Sequence, residues 1–167
     1  TEAMQSHQST DSFQKSDSSG AKIELFLSDG TQNRKTEIYY IDNTTTGFDN
    51  GYDSSIFGGV SHEFTIFTEL LSKNKDNKLG IQSLPNTDYE SMVIPVGIIA
   101  EANSEIIFSA ESINLPNGLK VQLEDRQKGV FTNLNETDYK VLLNEKQNGS
   151  GRFFIHTSQK TLSVNKD

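Results

Sequence analysis

The stretch Ile23-Glu24-Leu25-Phe26-Leu27-Ser28-Asp29-Gly30 decides the fold. Ile23, Leu25 and Leu27 alternate with Glu24, Phe26 and Ser28. A period of two puts alternate side chains on opposite faces, as a strand with one buried face requires. Asp29-Gly30 then stops the run with a turn signal.

The same pattern recurs outward from this strand. Thr36, Ile38 and Tyr40 alternate up to Asp42, Phe64 and Ile66 begin a third strand, and Leu79 with Ile81 a fourth. Met92 to Ile99 is nearly continuous and apolar but interrupted by Pro95 and Gly97, which suits an edge strand or a bulge. Residues 105–113, 119–125, 139–143 and 152–157 supply four more strands. Pro116-Asn117-Gly118 and Asn148-Gly149-Ser150-Gly151 read as turns between them. Phe67 to Lys73 reads as a strand end rather than a helical turn. Together these predict an all-β domain, a two-sheet antiparallel β-sandwich of immunoglobulin-like or jelly-roll type.

The 167 residues fit one domain with a real core. Hydrophobic residues make up 33% and the mean hydropathy is -0.56; apolar residues gathered into short runs suit strands buried on one face. A net charge of -8 argues against nucleic acid or an anionic membrane as partner. No apolar run approaches the roughly 20 residues of a membrane-spanning helix, so membrane insertion is not expected. Without cysteine, neither disulfides nor thiolate chemistry is available. Residues 1–20 read as a polar linker, with Phe13 able to anchor a short strand. Residues 21–160 form the module, and 161–167 a linker towards a missing C-terminal domain; the chain reads as a piece of a larger protein.

The densest polar run, Asn43-Thr44-Thr45-Thr46-Gly47-Phe48-Asp49-Asn50-Gly51-Tyr52-Asp53, lies between strands. Asp42, Asp49 and Asp53, with neighbouring Asn oxygens, could hold a hard cation such as calcium, or cap turns through backbone N–H groups. Residues 74–77 form another turn, where Lys75 disfavours a cation. Nucleophilic catalysis has little support: His7 lies in the linker, His62 has no partner argued by spacing, and His156 falls on the polar parity of its strand, facing solvent. Glu124 and Asp125 are adjacent on a strand and therefore point to opposite faces, which prevents a shared acid–base site. No catalytic residue is assigned. The matches to Asn-x-Ser/Thr at Asn43, Asn135 and Asn148 carry little information.

Sugar recognition on a β-sheet protein uses aromatic faces and amide or carboxylate hydrogen bonds. Phe26 and Tyr39 lie off the apolar parity of their strands, and Phe48, Tyr52 and Phe57 lie in the long connection. A ligand-binding set of Tyr39, Phe48, Asn50 and Tyr52 follows, although such residues also serve as a second apolar layer. The absence of tryptophan removes the commonest stacking platform.

Over most of residues 21–160 the chain resembles the β domain that precedes the C-terminal sorting domain in type IX secretion cargo proteins of Bacteroidetes. The matching pieces are Ile23 to Ser28, Thr45 to Asp53, Leu79 to Pro85, Ile94 to Gly97, Val121 to Asp125 and Arg152 to Ile155, in order and spacing. It departs where the family has a longer Gly-Tyr-Asp element, and at Asn86, where the family has an aromatic. The resemblance implies a secreted or cell-surface location, a β-sandwich and a non-catalytic role beside covalently linked enzyme or adhesin domains. It also implies the type IX secretion machinery as a partner. Joined to the aromatic loop, it gives a polysaccharide-binding module as the expected function. The alternative is a presenting spacer with no ligand of its own.

Overall fold

The computed structural model describes residues 20–56, 63–71 and 78–163. The expectations placed on His7, Phe13, Phe57, His62, the turn at 74–77 and most of both linkers lie outside the described residues. Strands β1 (Ala21–Ser28), β2 (Asn33–Ile41), β3 (Ser54–Ser55) and β4 (Thr65–Thr68) come first. They are followed by β5 (Leu79–Pro85), β6 (Val93–Ala100), β7 (Glu105–Ile113) and β8 (Lys120–Asp125). β9 (Val130–Asn133), β10 (Tyr139–Leu142) and β11 (Gln147–Ser158) complete the described elements.

These strands hydrogen-bond into one sheet in the order β10-β7-β1-β2-β5-β4-β6-β11-β8-β9, with β3 paired to β5. The pairs are antiparallel, except that β2 runs parallel to β5. The sheet rolls until its ends meet. Phe108 of β7 touches Phe153 of β11 with ring centroids 4.7 Å apart. Tyr139 of β10 donates to Asp125 of β8 at 2.6 Å. The chain is therefore all-β, with a nearly closed, barrel-like sheet. Two separately bonded antiparallel sheets are not what the pairing gives.

Alternation fixes the inside of the roll. Ile23, Leu25 and Leu27 are fully buried while Lys22, Glu24 and Phe26 lie on the outer face, half-covered. Burial of each such aliphatic side chain contributes about 1.5–3 kcal/mol. Their partners across β2, Ile38 and Thr36, are equally buried, and one continuous core joins them to Ile94, Val96, Ile98, Phe108, Phe153 and Ile155.

Two local expectations are corrected. β6 is central, between β4 and β11, not an edge strand. Pro95 is tolerated there because its carbonyl, and hence its nitrogen, faces the side where β4 has ended; Glu69 N–H bonds that carbonyl at 3.1 Å. Gly97 is tolerated because Phe67 of β4 lies across it. Lastly, Asn148-Gly149-Ser150-Gly151 is no turn. It forms a bulge inside β11, with Gly149 and Gly151 at φ 135° and 113° and a register shift before Phe153.

Candidate functional site

The connection from Ile41 to Ser54 is built by its own short polar side chains. Asn43 and Gly51 adopt left-handed backbone, at φ 64° and 87°. Thr44 Oγ1 donates to the Ile41 carbonyl at 2.9 Å, closing the end of β2. Asp49 Oδ2 accepts the Thr45 N–H at 2.7 Å and Oδ1 accepts the Thr45 hydroxyl at 3.0 Å. Asp53 reaches in two directions, taking the Asp49 N–H on Oδ2 at 2.7 Å and the Ser83 N–H on Oδ1 at 2.5 Å. Ser83 Oγ in turn donates to the Tyr52 carbonyl at 3.2 Å. The loop is thereby tied to β5 at Ser83, just beyond the two residues of β3 that pair with β5.

Asp53 is buried. Burial pushes its carboxyl above the ordinary value of 3.8; its two N–H donors pull it back, and the Asp49 charge adds to the rise. Both expected loop carboxylates are thus occupied in turn capping. Asp42 is exposed, and among the described residues it forms no group with Asp49 and Asp53 suited to hold an ion.

With Asp49 and Asp53 engaged in these bonds, the loop presents its aromatic and amide side chains. Phe48 is 40% exposed and Tyr52 50%, more than any other aromatic among the described residues, and Asn50 is exposed between them. Tyr39 is less available. It aligns with Ser83 across the parallel β2–β5 pair, so it stands at the base of the loop. However, it is half-buried, its hydroxyl donates to Glu37 Oε2 at 3.1 Å, and Lys22 Nζ lies 5.4 Å from its ring centroid. Burial, then the Glu37 charge, pushes its phenol up. Phe48, Asn50 and Tyr52 are exposed along one loop, whose Tyr52 carbonyl is bonded by Ser83, the register partner of Tyr39.

A second cluster stands on the outer face of β8, β9 and β11. The strand register places Phe154, Glu124 and Phe131 in one row across three strands. His156 Nε2 lies 2.8 Å from Glu124 Oε1, and Phe131 meets the imidazole edge-on at 5.2 Å. Arg126 Nε donates to Glu124 Oε2 at 3.2 Å, and its guanidinium lies 3.7 Å over the Phe154 ring. His156 does face outward, as its parity predicts, but is half-buried and engaged. Sequence reading missed this row because β9 was not foreseen and cross-strand register is not written in one chain. The opposed faces of Glu124 and Asp125 follow parity: Asp125 is buried inside with Arg152 and Tyr139.

The comparisons add no relative to this geometry: no family model matches the chain, and no curated protein or solved structure is detectably similar.

Proposed function

We propose that the chain is a non-catalytic carbohydrate-binding module of a larger secreted or cell-surface protein, holding a polysaccharide against Phe48, Asn50 and Tyr52. One observation carries this reading: two exposed aromatic side chains flank an exposed amide along a loop ordered by Asp49 and Asp53 and tied to β5. Rings held on a pre-ordered loop stack on sugar faces without the ordering cost that a slack loop would add. In this reading the rolled sheet acts as a distorted two-layer sandwich whose layers meet at Phe108 and Phe153. Placement beside a type IX sorting signal, next to linked enzyme or adhesin domains, rests on the resemblance of residues 21–160. Calcium at Asp49 and Asp53 would have to displace the N–H donors they now hold, so binding should survive a chelator.

Affinity electrophoresis against plant and algal polysaccharides, with and without chelator, tests the reading. Retardation that is lost in Phe48→Ala with Tyr52→Ala supports it. No retardation by any polymer leaves the presenting-spacer role. Retardation that needs calcium restores the metal site.

A further inference from the structure

The Arg126 cluster differs from the ion pairs of β1 and β2 in how its donors are used. On β1 and β2, Lys35 Nζ bonds Glu24 at 2.7 Å and Lys22 Nζ bonds Glu37 at 3.2 Å, so each of those ammonium groups is committed to a carboxylate. Arg126 commits only Nε, to Glu124 Oε2. Its flat face rests on Phe154, and its side chain remains 51% exposed. Nη1 and Nη2 hold no hydrogen bond among the described residues, yet the plane carrying them is fixed from below by the ring and from behind by the carboxylate. A guanidinium fixed in this way offers two parallel N–H donors at the spacing of a carboxylate's two oxygens.

We propose that Arg126, Phe131 and His156 form a second binding subsite, separate from the Phe48–Tyr52 loop, for a carboxylate-bearing (uronate) saccharide. The carboxylate takes the two free donors of Arg126. The sugar ring lies along Phe131, which shares the Phe154–Glu124 row, and along the His156 imidazole in the next row on the same face. Recognition at Arg126 falls to its side chain, because its backbone N–H is already bonded to the Arg152 carbonyl at 2.9 Å. Generic attraction does not account for such binding: the chain carries a net charge of -8 and repels polyanions as a whole. What remains is local, and it depends on the fork and the ring rather than on charge in general. The choice of a saccharide rests on the proposed function; the subsite itself rests on Arg126.

Calorimetric titration of the whole chain with an oligogalacturonate and with its methyl ester tests this. Binding of the free acid, at least ten-fold weaker binding of the ester, and at least ten-fold loss in both Arg126→Gln and Arg126→Lys are expected. The lysine variant keeps the charge and loses the fork, so it separates bidentate recognition from attraction. Arg126 is half-exposed, and unchanged thermal unfolding of both variants shows that the fold is retained. Equal binding of acid and ester, full binding by Arg126→Lys, or equal binding of a sulfated oligosaccharide overturns the proposal. Loss of binding only in Phe48→Ala or Tyr52→Ala also overturns it, while leaving the loop reading intact. Loss only in the Arg126 variants does the reverse.

Discussion

Asp125 and Arg152 join the neighbouring strands β8 and β11 as a bidentate ion pair, with Nε to Oδ1 at 2.9 Å and Nη2 to Oδ2 at 3.0 Å. The carboxylate is wholly buried and also accepts the Tyr139 hydroxyl and the Gln127 and Lys128 N–H groups. One side chain thus links β8, β11, β10 and the turn before β9. Charges taken out of water are tolerated when every lone pair is used, and truncating one partner strands the other. Asp125→Ala should therefore lose about 3–5 kcal/mol, read as a fall in urea midpoint. A loss below about 1 kcal/mol, the size of an exposed pair, would show that Asp125 does not anchor these strands.

The same group sets an acid limb on stability. Burial alone would raise the Asp125 carboxyl, but the hydrogen bonds from Arg152 and Tyr139, with the Arg152 charge, outweigh it and hold the group below its ordinary 3.8. A depressed folded value means the unfolded chain protonates first as pH falls. Its stabilisation is therefore full above about 3.8 and is lost as pH drops towards the folded value. Urea midpoints measured from neutral pH downwards should show wild type converging on Asp125→Asn only below that point. Convergence at weakly acid pH would contradict the assignment.

Asp53 should titrate with the opposite sign. Its carboxyl lies above 3.8 in the folded chain, so the fold takes up a proton that the unfolded chain does not, and ionisation as pH rises through that window costs stability. A carbon-detected carboxyl titration should place its midpoint above that of an exposed aspartate. Asp53→Ala should speed amide exchange at Ser83 and Asp49 by roughly ten-fold or more, since each loses an acceptor worth about 1.5–3 kcal/mol. Unchanged exchange would mean the loop is held by other contacts.

Phe48 and Tyr52 should behave as surface residues in folding. Each is at least two-fifths exposed, so truncation to alanine should move stability by no more than about 0.5 kcal/mol. A larger cost would identify them as part of the core and withdraw them from ligand binding.

How much of this was legible depended on whether a rule acts along the chain or across it. Alternation acts along the chain, so the faces of Ile23, Leu25, Glu124, Asp125 and His156 could be read directly. Strand pairing acts across it. Nothing in Glu37 to Ile41 announces a parallel partner in β5, and nothing in Val130 to Asn133 announces an edge strand, so the rolled sheet and the Phe154–Glu124–Phe131 row were hidden. Asp49 and Asp53 were found as residues, but their role waited on where Thr45 and Ser83 present their N–H groups. Glycine was ambiguous in the same way: Gly149 and Gly151 carry positive φ within a bulge, where the sequence alone suggests a turn.

Gly97 carries the sharpest packing prediction. It lies opposite Phe67 in the β4–β6 pair, and a Cβ added there would sit 2.2 Å from Phe67 Cε2. The ring is fully buried and has Lys78 Nζ 5.1 Å from its centroid, so retreat would cost contacts on its other side. Gly97→Ala should therefore destabilise by about 1–3 kcal/mol, although alanine suits a strand better than glycine. Phe67→Leu removes the obstacle while leaving a partial cavity. The two substitutions share one space, so the double variant should be more stable than the sum of the single losses by about 0.5–3 kcal/mol. Strict additivity in urea unfolding would mean that Phe67 is not what keeps residue 97 a glycine.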